Sequence, residues 1–389
     1  MSEPLKVMLV AAEASGDNLG AGLARAIKAK VGDDNVRFVG VGGPRMAEQG
    51  VVSPFDISDL SILGWIEGLR AYGRVKQRVA ETVALAVREQ PDVAVLIDSW
   101  GFTIRVAKGL RAALPDLKIV KYVGPQVWAS RPGRAKTLAA TVDHLMTLHG
   151  FDPPWFEKEG LPTTFVGNPS LALDFSNADG ARFRADNGLT PDQPLLLILP
   201  GSRPAEIARM TPVFEATAQR LKAERPDLAI AVVVADTVSD DLKGRVAGWS
   251  SRPILVEGDA AKKDAMTAAT VALATSGTVS TELALAGAPM IIAYRLGGLS
   301  FALTRPLMTA RHITLFNIAA DDRIAPEFLQ DEATPEALAK AVADRLDDRD
   351  LRADQIARQT AALELMGRGR PDPSAAAAGV VLDVAGRAG

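Results

Sequence analysis

The feature that most constrains this chain is an alternation that runs through it twice. Short apolar, β-branched runs are separated by longer stretches with helical spacing. In the first half the runs are "KVMLVAA", "VRFVGVG", "DVAVLID", "KIVKYVG", "HLMTLHG" and "TTFVGNP", with helical patterns over 17–30, 72–89, 101–114 and 131–141 among them. Runs this continuously apolar read as strands buried on both faces, and strands alternating with helices predict a mostly parallel sheet covered on both sides. The pattern then lapses through "NPSLALDFSNADGARFRADNGLTPDQP", rich in Asn, Asp, Gly and Pro, and resumes with "LLLILPG", "AIAVVVAD", "PILVEG", "VALATSG" and "APMIIAYR". The expectation is an α/β chain of two doubly wound, Rossmann-like halves, with a boundary near 168–190 and ligands past the carboxyl ends of the strands. Two such sheets facing each other would make a cleft, a usual ligand site.

The length agrees, since 389 residues exceed one ordinary core. The expected domains are 1–170, 171–350 and a helical tail 351–389. Helical pattern runs from about 333 to 366, "MGRGRPDP" interrupts it, and "SAAAAGVVLDVAGR" forms one more helix. Hydrophobic residues at 48% and charged residues at 23% describe a globular chain, and a net charge of −3 argues against a broad nucleic-acid footprint. The chain has no cysteine, which excludes disulfides, thiolate nucleophiles and cysteine-held metals; its three histidines lie in no carboxylate cluster. The pattern "DDRD" at 347–350 ends a helix away from the strand ends, so no metal site is expected. The N-terminus lacks the basic and apolar regions of a signal peptide, and no apolar run approaches the roughly 18 residues needed to span a bilayer. A cytoplasmic chain is expected, one that can still touch a membrane surface.

Several strand ends carry chemistry. After the first strand, "AAEASGD" places Glu13, Ser15, Gly16 and Asp17 at the turn into a helix. Ser15 or Asp17 can cap that helix, and a capped turn without a ligand explains them as well. Glu13 is not needed for capping and points toward function. The spacing G-x-G-x-x-G of dinucleotide sites is absent here. "DVAVLIDSWGF" sets Asp98 at the end of a buried strand, where it can serve either as general base or as helix cap. "LILPGSRPAEI" sets Arg203 at another strand end, able to bind diphosphate oxygens or to pair with Glu206. In "VALATSGTVSTELAL", Ser276, Gly277 and Thr278 lead into a helix whose N-terminus suits a diphosphate, and Glu282 lies about one turn in, placed to accept from ribose hydroxyls. "YVGPQVWASRPGRA" offers Gln126, Trp128 and Arg131 to the cleft, though Trp128 fits ordinary packing equally. His144 and His149 receive no role. Two stretches, 59–78 around Trp65 and 294–312 with Arg295, Arg305 and Arg311, mix apolar and basic residues as a surface handling an anionic amphiphile would; core segments with solvated arginines are the plainer reading.

Taken in order, "AEASGDNLGAGL", "GVGGPRM", "LSILGWIEGL", "PDVAVLIDSWGF", "YVGPQVWASRPGRA", "LILPGSRPAEI", "ATSGTVSTELALAGAPMIIAYR" and "TLFNIAADDRIAPEFLQDEATPEALA" resemble the lipid-A-disaccharide synthase family, inverting glycosyltransferases of the GT-B architecture. "SGT…E" is shared with other enzymes of UDP-sugars, whereas "EASGD" and "PEFLQ" are more specific. The resemblance implies transfer from UDP-2,3-diacylglucosamine to 2,3-diacylglucosamine 1-phosphate (lipid X), giving the β-1′,6-linked disaccharide 1-phosphate and UDP without cofactor or metal. It implies Asp98 as the catalytic aspartate, with Glu13 beside it as a second catalytic carboxylate. Ser15 and Asp17, with Gln126 and Trp128, fall to the acceptor or sugar side. Arg203, Ser276, Gly277, Thr278, Glu282 and Asn317 fall to UDP. It also implies peripheral association with the inner face of the cytoplasmic membrane and allows a homodimer, the tail either exchanging between copies or folding back on the N-terminal domain. The chain departs from the family at Ala12 (usually Gly), at Gly101 in "DSWGF" (usually acidic), at Asn168 in "VGNP" (usually His) and at "NIAADDR" (often "NLLAGR"). A paralogue with another lipid acceptor, a UDP-sugar 2-epimerase and a non-catalytic nucleotide-sugar binder are the alternatives.

Overall fold

The structure is a computed structural model that describes residues 3–60, 68–275, 277–297 and 310–387, so Trp65, Ser276 and Arg305 lie outside the described residues. The chain divides into two units. Residues 1–169 and 370–389 form unit 1, and 170–369 form unit 2.

Unit 1 is built on strands β1 (Leu5–Ala11), β2 (Val36–Val41), β3 (Val93–Ile97), β4 (Lys118–Tyr122), β5 (His144–Thr147) and β6 (Thr163–Phe165). They are all parallel, in the order β2-β1-β3-β4-β5-β6. Residue alternation feeds two cores, one on each face. Met8 and Val10 of β1 enter one with Leu96 and Ile119; Val7, Leu9 and Ala11 enter the other with Val95 and Ile97. This is the reason the strands read as unbroken apolar runs.

Unit 2 repeats the plan with β7 (Leu195–Leu199), β8 (Ala229–Val234), β9 (Ile254–Glu257), β10 (Val271–Ala274), β11 (Met290–Tyr294) and β12 (Glu327–Leu329), in the order β12-β11-β10-β7-β8-β9. Leu195, Leu197 and Leu199 face one core, Leu196 and Ile198 the other. The eleven strands expected from the apolar runs all form. β12, three residues beginning with a glutamate, is the addition.

The expected tail does not hold together as one piece. Helix Arg349–Leu365 stays with unit 2, where buried Gln355 and Gln359 donate to the carbonyls of Met290 (2.8 Å) and Ala288 (3.1 Å). Gly367 and Gly369, with φ of 103° and 80°, then turn the chain, and helix Pro373–Val384 packs on helix Ala14–Val31 of unit 1. Ala377, Ala378, Val381 and Leu382 complete the core containing Leu5, Val7 and Leu9. The helices approach closely at Gly22, where an added Cβ would stand 2.9 Å from Ser374 Oγ. Helix Pro373–Val384 thus counts with unit 1. Among the described residues no helix is long and apolar enough to cross a membrane, and no group of three or more acidic or histidine side chains is placed to hold a metal.

Candidate functional site

In each sheet the strand order reverses direction at one point, β1/β3 in unit 1 and β7/β10 in unit 2, and the carboxyl ends there are where ligands of such sheets bind. The candidate residues gather at these two places.

In unit 1, helix Ala14–Val31 begins directly after β1, with Glu13 as its N-cap residue and no side-chain cap. Ser15 and Asp17 are therefore already inside the first turn and do not cap it. Asp98 follows β3, and helix Trp100–Ala113 starts two residues later. The two turns exchange hydrogen bonds. Ser15 Oγ donates to Asp98 Oδ2 at 3.3 Å, and Ser99 Oγ donates to Glu13 Oε1 at 3.1 Å. Two carboxylates are thereby held at the carboxyl end of the central strands, Glu13 exposed and Asp98 half-buried.

Asp98 and Ser99 both adopt left-handed backbone, φ 48° and 40°. Each such non-glycine residue costs about 1–2 kcal/mol, so the surroundings must hold the turn. Asp98 N–H donates to Tyr122 O at 2.8 Å. Thr103 Oγ1 donates to the carbonyls of Asp98 (2.8 Å) and Ser99 (3.0 Å). Lys121 Nζ donates to Asp98 O and, at 3.0 Å, to Thr103 Oγ1. Lys121 is 2% exposed, and burial pushes its ammonium down to about 7 against the attraction of Asp98.

Asp17 has a different task from the sugar contact expected of it. Its carboxylate is buried and accepts from the backbone N–H of Gly43 (2.8 Å), Arg45 (2.9 Å) and Met46 (3.0 Å), fastening "GGPRM" and capping the short helix Pro44–Ala47. A Cβ at Gly43 would sit 2.7 Å from Asp17 Oδ2, which explains that glycine. Gln126 is exposed, as a ligand contact requires. Trp128 takes the packing alternative. It is buried, edge-on to Phe151, and its Nε1 donates to Asp152 Oδ1 at 2.7 Å. Burial raises Asp152 to about 6 and lowers the stacked neighbour His149 to about 4.

In unit 2 a pocket of about 320 Å³ lies past β7 and β10, lined among others by Gly201, Ser202, Arg203, Thr275, Thr278 and Glu282. Helix Thr278–Leu285 opens into it from Gly277 with no side-chain cap, leaving backbone N–H groups for an anion. Arg203 is 76% exposed at the side chain and also makes the expected pair, Nη1 to Glu206 Oε1 at 2.8 Å. The pair with Glu206 is made, and the exposed guanidinium remains part of the pocket wall. Glu206 is buried and accepts in addition from Tyr294 O–H (3.2 Å) and Ser202 N–H (3.2 Å). Gly201 (φ 111°) has no room for a side chain, since a Cβ would meet Glu206 Oε2 at 2.6 Å.

Sequence reasoning missed Lys262. It lines the pocket from helix Asp259–Ala268 and pairs with Glu282 at 3.0 Å. In "DAAKKDAM" nothing local separates it from Lys263, and only the pairing with Glu282 distinguishes them. Asn317 is not among the pocket's lining residues. It is fully buried, donates to Ala325 O (2.9 Å) and Glu327 Oε1 (3.0 Å), and accepts from Ala325 N–H (3.1 Å). Glu327 Oε1 also receives the N–H of Ile313 (3.1 Å) and Thr314 (2.8 Å), so "LFNIA" and "PEFLQ" are tied into one structural knot. Arg295, read either as a solvated arginine of a core segment or as part of a lipid-handling surface, donates to the carbonyls of Gln330 (3.2 Å) and Ala333 (2.8 Å).

Unit 2 therefore offers cations, hydroxyls and a helix N-terminus suited to a nucleoside diphosphate, and unit 1 offers carboxylates suited to taking a proton. Comparison with known proteins bears on both. The family model for lipid-A-disaccharide synthetase matches residues 7–378. A lipid-A-disaccharide synthase of Rhodospirillum centenum is 42% identical over 382 residues, 98% of this chain and 95% of that protein. Among solved structures, the glycosyltransferase of kitacinnamycin superposes with a TM-score of 0.61 at 14% identity, covering 98% of this chain and 100% of that one. The UDP-GlcNAc 2-epimerase of Neisseria meningitidis, bound to UDP-GlcNAc, superposes with 0.54 at 8% identity and 98% coverage of each chain. At such identities these two show the fold alone.

Proposed function

The chain belongs to the lipid-A-disaccharide synthase family, glycosyltransferases of lipid A disaccharide synthesis, and from that premise we propose how its residues divide the reaction. The donor is UDP-2,3-diacylglucosamine and the acceptor 2,3-diacylglucosamine 1-phosphate. The pocket of unit 2 takes the UDP moiety. Arg203 and the N–H groups entering helix Thr278–Leu285 neutralise the diphosphate, and Glu282 accepts from the ribose. As the glycosidic bond to UDP breaks, these groups stabilise the departing charge. Asp98 takes the proton from the acceptor 6-hydroxyl as that oxygen bonds to the anomeric carbon from the opposite face, which inverts the configuration. Glu13, oriented by Ser99, lies one turn away and positions the sugar.

The observation that carries this reading is Asp98 itself, a half-buried carboxylate on a backbone held left-handed at the β1/β3 switch point. Gly101 lies on the same turn with open space where a Cβ would stand, so the acceptor side is roomier than an acidic residue would leave it. Since both substrates carry acyl chains, peripheral association with an anionic membrane surface belongs to the same reading. The test is product analysis by mass with UDP-2,3-diacylglucosamine, with and without lipid X. Disaccharide 1-phosphate and UDP in equal amounts, formed only with acceptor, support it. Conversion of the donor without acceptor, as a 2-epimerase would give, contradicts it.

A further inference from the structure

We infer that Lys121 is a positioning residue for Asp98: its buried amino group fixes the backbone turn that presents the Asp98 carboxylate. The inference rests on the reading of Asp98 as the base. Lys121 occupies a place in β4 that the fold would fill with an apolar side chain. It is directly paired with Leu96 in the sheet register and shares its face of the strand with Ile119, a core residue. Its surroundings are Leu96, Trp100, Ile104, Ala107, Leu138 and Val142, with Thr103 the polar exception. An ammonium in such a wall loses its hydration, and a hydrophobe of similar volume would pack there at less cost.

What Lys121 receives in return is contact with the turn. It donates to Asp98 O and to Thr103 Oγ1, and Thr103 Oγ1 in turn donates to the carbonyls of Asp98 and Ser99. The next residue of β4, Tyr122, accepts from Asp98 N–H at 2.8 Å. β4 therefore grips Asp98 from both sides, by its N–H through Tyr122 and by its C=O through Lys121. Neither group can turn away without giving up a bond in a dry place, so the left-handed conformation persists. The remaining freedom is in the Asp98 side chain, to which Ser15 donates.

The test is a double-mutant cycle with Lys121→Met and Asp98→Asn in the full-length enzyme. UDP affinity and the melting temperature serve as folding controls. Lys121→Met is expected to lower kcat by about 10²-fold, the scale of a misplaced reacting group, with both KM values within about threefold and UDP affinity unchanged. In the Asp98→Asn background it is expected to cost almost nothing more, because its route to the chemistry is already gone. Lys121→Gln, which keeps a donor, is expected to recover part of the rate and is the second probe where the Met variant does not fold. Equal losses in both backgrounds, or a loss that follows only the folded fraction, overturns the inference. Full activity in Lys121→Met beside an inactive Asp98→Asn removes Lys121 alone. Full activity in Asp98→Asn removes the base and with it the route through which Lys121 acts.

Discussion

Lys262 and Glu282 stand 3.0 Å apart in the unit 2 pocket, on neighbouring helices, with side-chain exposures of 25% and 16%. The pair aims a carboxylate that would otherwise swing freely, and it fixes which oxygen remains for a ribose. Lys262→Met is expected to weaken UDP binding about tenfold, the size of one charge-assisted hydrogen bond, while 2′-deoxy-UDP, with one hydroxyl fewer to present, loses less. Calorimetric titration of both nucleotides against both proteins measures this. Equal losses for the two would assign Lys262 to the phosphates.

Arg203 should not tolerate lysine. A planar guanidinium can hold Glu206 through one edge and diphosphate oxygens through another, whereas an ammonium offers a single point charge. Arg203→Lys is expected to raise the UDP dissociation constant roughly 10-fold, and Arg203→Ala more, with kcat falling in both as the leaving group loses its counter-charge. Direct UDP binding together with steady-state rates separates the two effects.

Asp17 is a stability residue. Its carboxylate satisfies three backbone donors, that of Met46 buried and those of Gly43 and Arg45 partly so, and Asp17→Ala should cost about 3 kcal/mol, seen in urea unfolding. The folded fraction is expected to keep its kcat. A variant with normal stability but lost turnover would return Asp17 to the sugar site.

Lys121 makes unit 1 more stable as pH rises above neutral. Its folded value of about 7 lies below the ordinary 10.5, so between these values the unfolded chain holds a proton that the native state has released. Stability from this group is complete above 10.5 and is lost as pH falls toward 7, with a slope of at most about 1.4 kcal/mol per pH unit. Unfolding at pH 7.5 and pH 9 should show the wild type gaining stability and Lys121→Met lacking that gain.

The C-terminal helix should be integral to unit 1. Leu382→Ala removes a buried side chain from the core of Leu5, Val7 and Leu9 and is expected to destabilise by 2–5 kcal/mol without changing UDP affinity. Parallel melting and titration experiments test this.

The sheets were legible in the sequence because buried parallel strands are apolar along their whole length, as "LLLIL" and "VAVLI" show. Strand ends were legible too, which placed Asp98, Glu13, Arg203 and Glu282. Residues whose role depends on side-chain direction were not. Asp17 turns into the protein toward Gly43, Trp128 toward Asp152, and Asn317 toward Glu327, and nothing in local spacing distinguishes those directions from a ligand. Lys121 was hidden for a related reason: "KIVKYVG" reads as a buried strand, and nothing in that run shows that its amino group reaches back to the Asp98 carbonyl. β12 was too short to announce itself, and the return of the tail to unit 1 depended on long-range packing at Gly22.

Nucleotide binding by unit 2 and proton removal by Asp98 are tested together in one protein. Asp98→Asn should bind UDP with wild-type affinity and melt within a few degrees of wild type, yet form disaccharide at least 10³-fold more slowly in single turnover with both acylated substrates. A variant that retained its single-turnover rate, with UDP affinity intact, would contradict the account and place the base elsewhere, with Glu13 the first carboxylate to examine.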